Sequence, residues 1–280
     1  MEGYRPSGLK EALEMRKKTG AVPYAGGTDL VVKYSADSGT PLDFGKPVLF
    51  LSGIKELCAL REEKDCISIG SAVPMSALVK NPMVPPLLTR ALLEIGAPGI
   101  RNLATLGGNI CNASPAADSL PVLYILNAVC IVQSLEGIRK IPIEEFIVNP
   151  GTTVLKDSEL LTEIRVERGS FSAEEFRKVG TRRANALSKV AFAGCAAVDK
   201  GRINDIRIAY GAAAPRVLRS REIENKLKGI LVSDLKAQEN AVLEDYNTLL
   251  SPISDQRSTE KYRRKTALRL LQWFFEKLAV

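Results

Sequence analysis

The chain of 280 residues contains no histidine. That absence removes Ser–His–Asp and Cys–His nucleophile systems, imidazole ligation of zinc, and a covalent histidyl link to a flavin. The five cysteines, at positions 58, 66, 111, 130 and 195, include no Cys-x-x-Cys pair. An odd, scattered set excludes a disulfide framework and leaves no closely spaced thiolate pair on which to build a metal or iron–sulfur centre. No run of about 18 apolar residues occurs, so no membrane span is expected. The opening MEGYRPSGLKEALE has neither the basic nor the apolar stretch of an export signal, and the cytoplasm is the expected compartment. Neither Gly-x-Gly-x-x-Gly nor the P-loop motif is present, so Rossmann and P-loop readings have no motif behind them. The formal net charge of +7 comes from dispersed basic residues without a nucleic-acid-binding module, which argues against a nucleic-acid partner.

What is present is an ordinary globular balance, 45% hydrophobic and 25% charged, long enough for one large domain or two. The most informative stretch is RNLATLGGNICNASPAADSLPVLYILN, residues 101–127. It holds Gly107-Gly108-Asn109, then Ser114-Pro115, then Asp118, then an apolar run that reads as a helix. Glycines allow close approach to the main chain, and amides exposed in such a turn can cradle a phosphate. Asn109, Asn112, Ser114 and Asp118 can hydrogen-bond sugar hydroxyls or a ring, and a carboxylate such as Asp118 is a pure acceptor for a hydroxyl proton. By itself the stretch is also an ordinary polar turn. A second such element, AVPYAGGTDL at residues 21–30, changes the reading. Two strand-to-glycine turns, each followed by small polar residues, suit a diphosphate held from both sides.

Along the chain, Ser7 is the expected N-cap of a first helix that Gly20 ends. A strand near residues 21–25, a helix at 29–34 and a loop at 35–47 follow, then strands at 48–51 and 66–70 and a short helix within 71–80. A stronger helix spans 87–95. Asp118 is expected to cap a helix running to Leu126, and residues 128–134 and 138–141 flank Leu135-Glu136-Gly137 as a hairpin. A helical turn at 142–146 and a strand at 160–167 precede a boundary near 169–173. Beyond it lie three strand-like runs, at 175–180, 189–199 and 203–214, and helices near 220–228, 233–247 and 259–278. Strands followed by helices indicate an α+β unit. In the last helix Leu270, Leu271, Phe274, Phe275 and Leu278 form an apolar stripe, suited to core or interface.

The segments AGGTDL and TLGGNICNASPAADSLP, with FRKVGTRRANALSKVAFAG and IRIAYGAAAPRVLR later in the chain, resemble the FAD-binding medium subunit of the molybdenum hydroxylases. That family includes xanthine, carbon monoxide and nicotinate dehydrogenases, and the resemblance covers nearly the whole chain. It implies an α+β fold: a two-part FAD-binding domain of the PCMH type at residues 1–170, then a smaller C-terminal α+β domain at 171–280 with a three-stranded antiparallel sheet and helices. It implies FAD bound without a covalent link, and molybdopterin and 2Fe-2S clusters carried only by a large and a small partner subunit. The implied function is an oxidoreductase subunit that passes electrons from the partner's iron–sulfur clusters through FAD to NAD or another acceptor.

Carried across residue by residue, the resemblance assigns Val22, Pro23, Tyr24, Ala25, Gly26, Gly27, Thr28, Asp29 and Leu30 to the first FAD loop. Ala104, Thr105, Gly107, Gly108, Asn109 and Cys111 match the second segment, with Ala117 and the acidic Asp118 after it. Ala72 and Ile95 match apolar positions against the cofactor, Leu161 a leucine beside the flavin ring, and Lys178 a lysine near it. This suits the chemistry of a flat apolar ring with polar edges, where a lysine stabilises negative charge on the reduced form. Arg182-Arg183 could serve a phosphate or a partner. No residue of this chain is assigned as catalytic. Residues 111–140 hold only Cys111 and Cys130, so the cysteine-rich insertion of some relatives, such as 4-hydroxybenzoyl-CoA reductase, is missing. The alternatives are a stand-alone FAD-dependent oxidoreductase, which would need a base of its own, and a non-catalytic nucleotide-binding or assembly protein.

Overall fold

The computed structural model describes residues 2–35 and 42–279. Six of the thirteen residues of the loop read at 35–47, residues 36–41, lie outside the described residues. The chain forms two units. The first comprises Met1–Val84, Gly96–Ala113 and Asn127–Arg168, and the second Pro85–Ile95, Ser114–Leu126 and Gly169–Val280.

In the first unit β1 (Gly3–Tyr4), β2 (Val22–Tyr24) and β3 (Val48–Phe50) form a parallel sheet ordered β1-β3-β2. Parallel neighbours need crossover connections, and the helix Leu9–Thr19 lies between β1 and β2. It buries Ala12 and Leu13 in a cluster with Leu49, Leu51 and Ile54. Gly20, at φ 63°, closes it by donating its N–H to Arg16, as expected. The start differs. Gly8 stands at the N-cap, while Ser7 donates both its hydroxyl and its N–H to Glu11, each at 2.7 Å. A carboxylate one turn on is the stronger acceptor, and it draws Ser7 out of the capping role.

β4 (Leu60–Glu62) and β5 (Cys66–Gly70) are followed, after the second glycine segment, by the hairpin of β6 (Val129–Ser134) and β7 (Gly137–Pro142). β8 (Ile147–Asn149) and β9 (Thr152–Thr153) pair with each other. β10 (Leu160–Glu167) then enters the centre of a five-stranded antiparallel sheet ordered β4-β5-β10-β6-β7. Its later residues alternate, with Ile164 and Val166 buried between Glu163, Arg165 and Glu167. A register shift between Leu161 and Glu163 breaks the period of two, which is how Leu160, Leu161 and Thr162 are all buried in succession.

In the second unit β11 (Ala173–Val179), β12 (Val190–Asp199), β13 (Arg202–Gly211) and β14 (Leu218–Arg219) form a four-stranded antiparallel sheet. The expected three strands are there. The fourth has two residues, too few to show a period. β12 is buried from Val190 to Ala196, because helices Ser119–Ile125 and Glu260–Leu278 both pack on it. β13 divides its faces in the manner of a strand. Ile206, Ile208 and Tyr210 join the core with Leu271, Phe274 and Phe275, while Arg207 donates to the carbonyl of Ile125 and Gly211 lies against Pro121. The apolar stripe of the last helix is therefore core. Every residue of Ser119–Ile125 is buried. Among the described residues no helix is long and apolar enough to cross a membrane.

Candidate functional site

In the first unit the chain leaves β2 through Gly26 and Gly27. Gly27 sits at φ +71°, a left-handed conformation that glycine adopts without strain. A Cβ on Gly26 would lie 2.0 Å from the carbonyl oxygen of Leu103 and 3.0 Å from Cα of Ala104. The first glycine turn is thus pressed against the residues that lead into the second glycine pair, and the two motifs meet. The carbonyls of Gly27 and Asp29 accept the N–H groups of Val31 and Lys33, both at 2.9 Å. The backbone amides of residues 25–29 donate to no group among the described residues.

The second pair is not the turn expected from its sequence. Gly107, Gly108 and Asn109 lie in the first turn of a helix, Leu106–Asn112, whose N-cap Thr105 accepts the Gly108 N–H on its hydroxyl at 3.0 Å. Two glycines cost a helix about 1 kcal/mol each. The cap and the burial of Leu106 and Ile110 offset that cost. Gly107 donates to the carbonyl of Ser71 at 3.1 Å and Asn109 to that of Thr105 at 3.0 Å. A Cβ on Gly107 would fall 2.5 Å from both Cβ and O of Ser71, whereas one on the exposed Gly108 would meet only the Thr105 hydroxyl, at 2.9 Å.

Ser71, directly after β5, was not singled out by its sequence, because a serine after an apolar strand is commonplace. It is 5% exposed, and its hydroxyl has no partner among the described residues. Its N–H donates to Thr162 at 3.0 Å, which sets it beside Leu161 of β10. Ala72, Ala104 and Leu161 are all buried nearby in the chain path. Cys111, on the same helix as the second glycine pair, has its thiol pushed up to about 12 by burial and is no nucleophile at neutral pH. A glycine-lined junction with a run of uncommitted amides and one orphaned buried hydroxyl fits an anionic, oxygen-rich ligand such as a diphosphate.

The second unit holds the other part of the set. Asp118 precedes the helix Ser119–Ile125 but does not cap it. Its backbone is already helical, at φ −66° and ψ −25°, and its side chain makes no capping bond. The carboxylate instead accepts the Ser188 hydroxyl on Oδ1 at 2.5 Å and the Lys178 ammonium on Oδ2 at 2.7 Å. Lys178 also donates to the Glu94 carbonyl at 2.7 Å, at the end of the helix Pro86–Leu93, where a cation is favoured. The side chains of Lys178 and Asp118 are 7% and 6% exposed. Burial pushes the Asp118 carboxyl above its usual range. Lys178 and the Ser188 hydroxyl pull it back, and the Glu94 charge adds to the rise. Ala117 is buried beside Asp118, and Ile95, half-buried, follows Glu94. Arg182 is turned onto the carbonyls of Ala184 and Asn185 in its own loop.

Residues 1–167 match the family model described as the FAD binding domain in molybdopterin dehydrogenase. Residues 175–278 match the C-terminal domain of the CO dehydrogenase flavoprotein. The chain belongs to the FAD-binding flavoprotein family of the molybdopterin dehydrogenases. Among its relatives are the glyceraldehyde dehydrogenase medium chain of Sulfolobus acidocaldarius, 29% identical and matched over 98% of this chain and 97% of that one. Another is the xanthine dehydrogenase FAD-binding subunit of Escherichia coli O157:H7, 28% identical over 91% and 86%. The solved carbon monoxide dehydrogenase of Hydrogenophaga pseudoflava shares the fold, with a TM-score of 0.89 at 24% identity, over 98% of this chain and 95% of that one. FAD is the cofactor of this family, and this member is an oxidoreductase flavoprotein subunit with the two-part α+β fold.

Proposed function

We propose that this flavoprotein is the electron-transfer subunit of a molybdenum-containing hydroxylase or dehydrogenase complex in the cytoplasm. It would work with a molybdopterin-binding large subunit and an iron–sulfur small subunit, and deliver electrons to NAD or another acceptor. The observation that carries its FAD-binding part is the junction of the two glycine segments, where residues 25–29 present a run of amides uncommitted among the described residues. Those amides would bind the diphosphate oxygens, and the Ser71 hydroxyl would add one donor. Ala72, Ala104, Ile95 and Leu161 would supply apolar contact. Two of the three ammonium protons of Lys178 are used on Asp118 and Glu94, which leaves one donor beside a carboxylate with spare lone pairs. A donor next to an acceptor is the complement of a polyol hydroxyl. When bound, FAD supplies the redox chemistry, and the protein supplies binding, orientation and tuning.

Substrate oxidation is assigned to a partner because this chain has no histidine and no closely spaced cysteine pair. The family matches, at residues 1–167 and 175–278, support a division of the sequence near residue 170. Two measurements test the reading. On denaturation the flavin should leave the polypeptide as FAD; flavin retained on the chain, or FMN, would contradict the binding mode. The FAD-loaded chain alone, assayed with purines, nicotinate, aromatic aldehydes and carbon monoxide and an artificial dye, should show no turnover. Turnover would promote the stand-alone oxidoreductase. NADH-to-dye activity is compatible with either, since it needs only an accessible flavin.

A further inference from the structure

The Asp118 carboxylate is held by two donors from two places in the chain. Lys178 comes from β11, and Ser188 from the segment that leads into β12, whose first residue, Val190, pairs with Val179. Ser188 is buried, and its hydroxyl has a single proton, which it spends on Oδ1 at 2.5 Å. One donor on each oxygen fixes the plane of the carboxylate and leaves it lone pairs for a ligand. We infer that Ser188 is a positioning residue for FAD, acting through Asp118 by holding that carboxylate ionised and oriented to accept a cofactor hydroxyl. The inference rests on the assignment of Asp118 to the FAD site made above.

The charge balance explains why a neutral hydroxyl matters here. Asp118 faces Lys178 on β11 and Glu94 at the end of the helix Pro86–Leu93. Arg207 and Arg219, on β13 and β14, reach the carbonyls of Ile125 and Tyr124 at the far end of the helix that Asp118 precedes. Lys178 is shared with the Glu94 carbonyl, so it does not serve Asp118 alone. Removing the Ser188 hydroxyl leaves a buried carboxylate with one donor fewer. It will then take a proton more readily, and a protonated carboxyl offers a ligand hydroxyl a different and weaker pattern.

The experiment is FAD titration of the apo chain for wild type, Ser188→Ala and Ser188→Thr at several pH values, with the thermal midpoint of each. Wild type should bind tightly at pH 8 and lose affinity towards the acid end, where the raised Asp118 carboxyl takes up a proton. Ser188→Ala should bind about tenfold more weakly at pH 7, with the deficit widening as pH falls, and Ser188→Thr should recover most of the affinity. If Ser188→Ala lowers the thermal midpoint but keeps wild-type affinity and pH profile, Ser188 is structural and the inference is wrong, while the FAD assignment stands. If wild type binds no FAD, the cofactor assignment fails and takes this inference with it. Should Ser188→Ala not fold, Ser188→Cys, with a weaker donor of similar size, should lose affinity to an intermediate degree; wild-type affinity in that variant would overturn the inference equally.

Discussion

Gly26-Gly27 and Gly107-Gly108 look alike in the sequence and are used differently. In the first pair one glycine holds a left-handed backbone at φ +71° and the other makes room for the Leu103 carbonyl. The amides around them remain uncommitted among the described residues. In the second pair the backbone is an α-helix, and both amides are bonded, to Ser71 and to Thr105. On the reading proposed above, the first is a surface for a ligand. The second packs the start of a helix against Ser71 through Gly107 and leaves Gly108 exposed. A glycine pair thus marks close approach, and only the fate of its amides says whether the approaching group is a ligand or the protein itself.

Substitutions separate the two uses. Gly26→Ala should have the largest effect, because a Cβ 2.0 Å from a backbone carbonyl has to drive the two segments apart. A loss of about 3 kcal/mol in stability is expected, with FAD binding abolished; denaturant melts and a flavin titration check both. Gly107→Ala meets Ser71 at 2.5 Å and should cost about 2 kcal/mol. An unchanged melt would show that the helix start can move away from Ser71. Gly108→Val reaches only the Thr105 hydroxyl, so the fold should lose about 1 kcal/mol through the cap. FAD affinity should still fall more than about tenfold, and a titration that shows no change would remove Gly108 from the site. Least affected should be the thiol of Cys111, held up to about 12. Alkylation at pH 8 should modify exposed Cys58 and leave Cys111 intact, as peptide mapping can show; rapid labelling of Cys111 would mean that the helix Leu106–Asn112 opens readily to solvent.

Much of this was legible in the residues. The α+β character, the Gly20 helix end, the β6–β7 hairpin and the strands β11 to β13 follow from local patterns, and the family follows from the two glycine segments. Other features depend on contacts distant in sequence. The second glycine pair reads as a turn because intrinsic propensity disfavours a helix there, and tertiary burial of Leu106 and Ile110 overrides it. Asp118 reads as a cap because acids before apolar runs usually are. Its actual partners, Lys178 and Ser188, lie 60 and 70 residues away. Ser71 and the Glu94 carbonyl carry no sequence mark at all.

The most direct test of the account is amide hydrogen exchange of the chain with and without FAD. Without the cofactor, the amides of residues 25–29 should exchange quickly and those of residues 107–109 slowly, since among the described residues only the latter are hydrogen-bonded. With FAD, residues 25–29 should become strongly protected while 107–109 change much less. Residues 25–29 exchanging at the same rate in both states would contradict the assignment of the first glycine turn as the phosphate cradle.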